Sequence, residues 1–431
     1  MNTNPSDLLE SIIVMDSVPF RFGEGATQEI GYELRKRGIH KALLVTDPHL
    51  QSIGMVDPVE TLIGEADVDV EVYADSGVEP TDQSFEQALA FQKGKTFDAY
   101  IALGGGSSID TAKAMNLYGT YPAPLLDYIN KPIGKAKPVT GPLKPLIAIP
   151  TTAGTGSEST SVAVLDMLDL KVKTGISQPA IRPTAAIIDP LNTISMPPYI
   201  TAATGLDVLC HALESYISKP YNRRPRPITP EARATFLGAN PVADIFAEKA
   251  ITLSGQYLRR AFFNSHDLEA RTNMMLAATF AGIGLGSAGA HIPHAMGYPV
   301  AGMVRDFRMP DYPVEGPLVP HGISVIINAP ATFRWTYAAW PERHLKAAEM
   351  LGEDTRGIPL NDGADALPTA LIKLMRDLNL PNGLEAVGYN HKDIPALVEG
   401  TIKQQRLLIH SPRPANEKDL EAIFQDGMRY W

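Results

Sequence analysis

Tyr100-Ile101-Ala102-Leu103-Gly104-Gly105-Gly106-Ser107-Ser108-Ile109-Asp110 is the stretch on which the architecture turns. A short apolar strand runs into three glycines and two serines, and a helical pattern follows, with the helix expected to begin near Ile109 to Asp110. Glycine lets the backbone approach a bound group closely, while the unpaired amides and positive dipole end of the next helix attract an anion such as a diphosphate. Taken alone, the loop is as readily a tight strand-to-helix turn with no ligand. It is not the usual dinucleotide fingerprint, in which an acid follows about twenty residues later.

Working outward, Ala42 to Thr46, Val68 to Tyr73 and Leu146 to Ile149 also read as strands, and Gln28 to Arg37 and Ser84 to Gln92 have the period of amphipathic helices. Such alternation predicts a parallel sheet wrapped by helices over residues 1–190. After Pro190 the pattern becomes helical: Tyr199 to Ser218, Ala243 to Phe262, Asp267 to Phe280, His344 to Leu351, Ala364 to Leu378 and Glu417 to Arg429. An α/β dinucleotide-binding domain (residues 1–190) followed by an all-α metal-binding and substrate domain (residues 191–431) is therefore expected.

A second polar loop, Thr151-Thr152-Ala153-Gly154-Thr155-Gly156-Ser157-Glu158, follows the strand Leu146 to Ile149. In a parallel sheet, loops at the carboxyl ends of neighbouring strands meet at one crevice, so both loops could face one ligand. Asp47, just after Ala42 to Thr46, is placed either to accept from an adenosine ribose, favouring NAD over NADP, or to cap the helix that starts at Pro48. In the helical half, Asp207 and His211 are four apart and share a helix face with apolar neighbours. A buried carboxylate there wants a cation, unless the pair only hydrogen-bonds within the helix. His294 and His321, the latter framed by Pro320 and Gly322, sit in glycine- and proline-rich surroundings and favour the metal. One carboxylate and three imidazoles suit a single divalent ion, Fe²⁺ or Zn²⁺. His291 reads as core, and Cys210 as a small buried hydrophobe.

Composition excludes other classes. The 38 basic and 48 acidic side chains leave a net charge of −10, which offers no attraction to phosphate backbones or anionic lipid. The charge-poor stretch between Arg271 and Arg305 carries His291, His294, Pro293, Pro299 and several glycines, which fits a buried packed segment better than a membrane span. One cysteine cannot form an internal disulfide, and residues 1–17 read as neither a signal nor a transit peptide, so a cytoplasmic protein is expected.

Gly104 to Ser107, Thr151 to Glu158, Asp207 with His211, and His294 with His321, in that order, resemble the iron-containing alcohol dehydrogenase family over nearly the whole chain. The resemblance implies the dehydroquinate synthase-like fold of that family and makes Asp207, His211, His294 and His321 the metal ligands, with iron expected and zinc the alternative. It implies NAD held by Gly105, Gly106, Ser107, Thr151, Thr152, Ser157 and Asp47, joined by Asp110 and Lys173. Many family members carry a second histidine four residues after the third ligand; this chain has Tyr298, which puts the usual proton relay in doubt and makes Tyr298 a catalytic candidate. The expected reaction moves a hydride from 4-hydroxybutyrate to 2-oxoglutarate through an NAD that stays bound. Its rivals are an ordinary dehydrogenase with exchangeable cofactor and a silent dinucleotide-binding protein. Small carboxylate substrates need a cation, for which Arg305, Arg308, Arg223, Arg224 and Arg226 are candidates. No nucleic-acid or membrane partner is expected, and a homo-oligomer is.

Overall fold

The computed structural model describes residues 8–170 and 172–431. The chain forms two compact units, Ser17–Met196 and Pro197–Trp431, the second also holding residues 8–16. The N-terminal segment is pinned there by backbone hydrogen bonds from Glu10 to Arg224 and from Arg226 to Leu8, and by the Glu10–Arg233 ion pair. Residues just beyond 190 stay with the first unit because Asp189 caps their turn and also accepts from the amides of Gly25 and Thr27.

The first unit is built on a parallel sheet of six strands: β1 (Phe20–Phe22), β2 (Lys41–Val45), β3 (Asp69–Tyr73), β4 (Ala99–Gly104), β5 (Leu146–Pro150) and β8 (Ala185–Ile188), in spatial order β1-β8-β5-β4-β2-β3. Helices cover both faces, so the central strands are almost wholly apolar and every residue of β4 and β5 is buried. Alternate side chains take opposite faces: Leu44, Ile101 and Ile149 pack with Ile30, Leu34 and Ile63, while Leu43, Tyr100 and Ala148 pack with Ile109, Ala112 and Met115. An antiparallel pair that the sequence reading did not single out, β6 (Val162–Met167) and β7 (Val172–Ser177), adds a small second sheet. The helix after the glycine loop, α1 (Gly106–Thr120), begins three residues earlier than expected, because Gly105 already occupies the N-cap and both serines lie in the first turn.

Among its described residues the second unit has helices as its regular elements, joined by long loops and carrying isolated bridges. Its centre is α2 (Pro198–Ile217), packed against α3 (Pro241–Phe263) and α4 (Leu268–Ala288). Next come α5 (Ile292–Gly302) and the short α6 (His321–Ile326), which also lies on α2. The charge-poor stretch is thus two helices, α4 and α5, bent by 107° at a break, and among the described residues no single helix is long and apolar enough to cross a membrane.

One buried ion pair locks the first unit around the polar loops. Lys113 on α1 is fully buried, and its ammonium donates to Ser157 Oγ (2.6 Å) and the Val162 carbonyl (2.6 Å) while facing Asp110 at 3.3 Å. Asp110 in turn accepts from Ser157 Oγ (2.5 Å) and the Val164 amide (2.8 Å). Lys113→Met would strand the Asp110 carboxylate away from its cation, a loss of about 3 kcal/mol for a broken buried pair. The urea midpoint of the variant is expected to fall accordingly; an unchanged midpoint would show that the network does not support the fold.

Candidate active site

The candidate metal centre is assembled from three helices of the second unit. Asp207 and His211 are one turn apart on α2, His294 lies in the first turn of α5, and His321 opens α6. The Nε2 atoms of His294, His211 and His321 stand 3.5, 3.7 and 3.8 Å from the same oxygen, Asp207 Oδ1. Donors bonded to one ion at about 2.0–2.2 Å in a tetrahedral array are about 3.3–3.6 Å apart, close to this spacing. The His211 and His294 rings stack at 4.6 Å between centroids. Asp207 Oδ1 and His294 Nε2 are buried without a hydrogen-bond partner, which is how donors reserved for a cation look. The four residues fit a divalent ion. The His321 side chain is 22% exposed, against 3–8% for the other three, so the approach to the centre is on the His321 side.

Glu214 completes the centre and was missed as a site residue from the sequence. It lies on α2 three residues after His211, is fully buried, and its Oε1 is 2.5 Å from His294 Nδ1 while Oε2 accepts from the His291 amide at 2.6 Å. A carboxylate on the second ring nitrogen fixes the tautomer that turns Nε2 toward the ion. The signal available was a third ionisable residue on the face shared by Asp207 and His211. Burial opposes charge on His294, yet Glu214 and then Asp207 overcome it and push this imidazole up to about 10, whereas burial takes His211 down to about 4. Burial opposes ionisation of Asp207 too, and the surrounding imidazoles, His211 first, hold its carboxyl well below the usual range.

Close approach of α6 to α2 depends on Gly322. A Cβ there would lie 1.9 Å from the Ala203 carbonyl oxygen and 3.0 Å from Asp207 Cβ, and a backbone carbonyl inside a helix cannot yield.

In the first unit, β4 and β5 pair so that Gly104 is opposite Pro150, and the glycine and threonine loops emerge side by side. Thr151 donates its amide to the Gly104 carbonyl (3.0 Å). A Cβ on Gly106 would fall 2.5 Å from Thr155 Cγ2, and one on Gly105 3.3 Å from Thr152. The N-cap of α1 at Gly105 has no side-chain cap, leaving its first amides for an anion. Gly105, Gly106, Ser107, Thr151 and Thr152 therefore come together as a cradle that fits a diphosphate. Ser157 and Asp110 are instead drawn into the Lys113 network. Asp47 caps the short helix Pro48–Ser52, accepting from the Leu50 amide at 2.9 Å, so its capping reading is realised; Leu50 lies against Gly104. Lys173, on β7, is buried between Glu79 (2.6 Å) and Asp166 (3.0 Å).

Tyr298 sits one turn beyond His294 with its ring 5.8 Å from that of His321. Of the candidate carboxylate holders, Arg305 is bound to Asp393 and the Gly388 carbonyl, Arg224 to the Phe236 carbonyl and the His410 ring, and Arg223 and Arg308 are exposed.

Two outcomes follow for metal binding. Gly322→Ala should displace His321 and lower the metal content of the purified protein well below one ion per chain; full occupancy would show that α6 can move. Because metal-free His294 keeps its proton until about pH 10 and the ion must displace it, log affinity should rise by about one per pH unit between about pH 6 and 9. Titration at several pH values checks this, and Glu214→Gln, which removes the main cause of the raised value, should flatten the slope.

Comparison with known proteins places this geometry. Residues 18–190 match the family model of iron-containing alcohol dehydrogenase, and residues 231–428 match the C-terminal model of the Fe-containing alcohol dehydrogenase family. The chain is 49% identical, over 413 residues covering 95% of it and 89% of the relative, to the mitochondrial hydroxyacid-oxoacid transhydrogenase of Bos taurus. Its fold is similar to the crystal structure of 1,3-propanediol oxidoreductase, at 31% identity and a TM-score of 0.84 over 97% of this chain and 100% of that one. It is also similar to sulfoacetaldehyde reductase from Bifidobacterium kashiwanohense in complex with NAD⁺, at 26% identity and 0.79 over 97% and 99%. The cytoplasmic location expected from composition is overturned by the mitochondrial relative. A lone buried cysteine reports that no internal disulfide forms and does not report the compartment. With both family models matched, together spanning most of the chain, the protein belongs to the iron-containing alcohol dehydrogenase family.

Proposed function

We propose that the protein is a hydroxyacid-oxoacid transhydrogenase that moves a hydride from 4-hydroxybutyrate to 2-oxoglutarate. The observation that carries this reading is the near-half identity to a transhydrogenase along almost the whole chain. The convergent donor set supports it, since a silent scaffold has no use for a buried carboxylate ringed by imidazoles. One half-reaction takes a hydride and a proton from 4-hydroxybutyrate, leaving succinate semialdehyde; the other returns both to 2-oxoglutarate, forming 2-hydroxyglutarate. Nothing outside the two acids is consumed.

Asp207, His211, His294 and His321 would hold the divalent ion, iron or zinc. Gly105, Gly106, Ser107, Thr151 and Thr152 would hold the NAD diphosphate, with Asp47 toward a ribose; Ser157 and Asp110 would support that loop through Lys113, and Lys173 would stiffen β7. When bound, the ion supplies Lewis-acid polarisation of a substrate oxygen and the nicotinamide supplies the hydride carrier. Glu214 keeps His294 oriented. Tyr298 accepts from Arg406 at 3.1 Å, so its own hydroxyl proton is free to be given to, or recovered from, a substrate oxygen on the His321 side.

If the cofactor stays bound, the two half-reactions alternate in one site and double-reciprocal plots in the two acids are parallel, as in a ping-pong scheme. Turnover should proceed without added NAD. Intersecting plots with strict dependence on added NAD would instead identify an ordinary dehydrogenase.

A further inference from the structure

Arg406 was not among the residues singled out from the sequence, and the mechanism above uses it only through Tyr298. It lies in the short helix Gln405–Leu408, which packs against α5. Its Nη2 donates to Tyr298 Oη at 3.1 Å, and its Cζ stands 5.4 Å from the centre of the same ring. The same ring also neighbours His321, at 5.8 Å between centroids, and His321 is the one partly exposed donor of the centre. One tyrosine thus neighbours both this guanidinium and the partly exposed ligand of the candidate centre.

The charge of Arg406 is half-buried, yet among the described residues no carboxylate pairs with it. Arg343 faces Asp244 and Arg233 faces Glu10, whereas Arg224 and Arg413, also half-buried, are met by backbone carbonyls and rings; Arg406 differs from these in that, among the described residues, its one hydrogen-bond partner is a tyrosine beside the centre. Withdrawing a guanidinium from water without an acid is unfavourable, and its planar fork matches a carboxylate bidentately. The tyrosine holds the fork in place before any ligand arrives, which lowers the ordering cost of binding. Of the loop arginines offered by the sequence, Arg305 already has Asp393, Arg224 already has His410, and Arg223 and Arg308 are exposed.

We infer that Arg406 is the carboxylate anchor of the active site, used in turn by the hydroxy acid and by the oxo acid, with Tyr298 as its positioning residue. This rests on the hydroxyacid-oxoacid reading given above. One anchor shared by both half-reactions explains how a single site takes two different acids: each would be held by the same end while its reacting carbon is presented toward the His321 side.

The test compares 4-hydroxybutyrate with 1-butanol, a neutral alcohol of the same chain length, in wild type and Arg406→Met, with metal content and the thermal transition recorded for each. The wild type should prefer the acid strongly. In Arg406→Met the ratio of kcat/KM for acid over alcohol should fall roughly ten- to hundred-fold, the size of a lost charged hydrogen bond, with the KM values for 4-hydroxybutyrate and 2-oxoglutarate rising together and kcat changing far less. Guanidinium ion should recover acid turnover in Arg406→Ala, which a merely structural role would not allow. If Arg406→Met does not fold, Tyr298→Phe, which keeps the ring and frees the fork, should lower the same ratio by a smaller factor. A wild type with strong acid preference and an Arg406→Met variant that keeps it would overturn the anchor while leaving the transhydrogenase reading intact; so would a ratio that collapses in Arg308→Met instead. A wild type with no acid preference would overturn the underlying reading itself.

Discussion

The constraint on which the C-terminal unit depends is the burial of the Asp207 charge. This carboxylate is 2% exposed in the middle of the central helix, and one of its oxygens has no hydrogen-bond donor. An isolated carboxylate in such a place would take up a proton or pull the fold apart, so the surroundings must supply positive charge. Three imidazoles from α2, α5 and α6 turn their Nε2 atoms toward that one oxygen, and the segments that carry them are bound to follow. The break between α4 and α5 starts α5 next to α2, Gly322 lets α6 touch α2, and Glu214, deeper on the same helix, fixes His294 from behind. Metal affinity, helix placement and the exposed edge of the centre are thus consequences of one buried charge.

The N-terminal unit obeys a different rule. Its polar loops lie together because β4 and β5 are adjacent and parallel, so their carboxyl ends reach the same edge of the sheet. The threonine loop is held rigid from beneath by Lys113, whose fully buried ammonium joins α1, Ser157 and β6. Ser157 and Asp110 belong to this support, and the surface left to a diphosphate is mainly backbone amide and glycine. A cradle of that kind is generic in chemistry and specific in shape, which suits a cofactor common to many reactions. Specificity for the substrate then has to come from the helical unit, where Tyr298 and Arg406 flank the ligand set.

The main strands, the long helices and the candidate ligand pair Asp207 and His211 were legible in the sequence, and each for a local reason. Leu43, Tyr100 and Ala102 alternate with Leu44 and Ile101 in strands buried on both faces, and the spacing of Asp207 and His211 is that of one helical turn. The start of α1 was misplaced because serines and glycines carry no apolar period, so the first turn looked like loop. Asp47 carried two readings that sequence alone could not separate, since an acid before proline caps a helix whether or not a ribose lies nearby; the cap is formed. Glu214 was overlooked for the opposite reason: glutamate on a helix ordinarily faces water, and only its 2.5 Å approach to His294 gives it a role.

Sequence by itself determined the class of fold, an α/β half followed by a helical half, because this follows from residue types and from periods of two and 3.6 that span only a few neighbours. Tertiary structure alone decided which oxygen the three imidazoles share, which side of the centre is open, and which arginine stands beside it. Tyr298 and Arg406 are more than a hundred residues apart, and no local pattern ties one to the other; their meeting exists only after α5 has packed against the short helix that carries Arg406. Convergence of that kind depends on how helices pack through space, a property of the whole core that no short window of sequence contains.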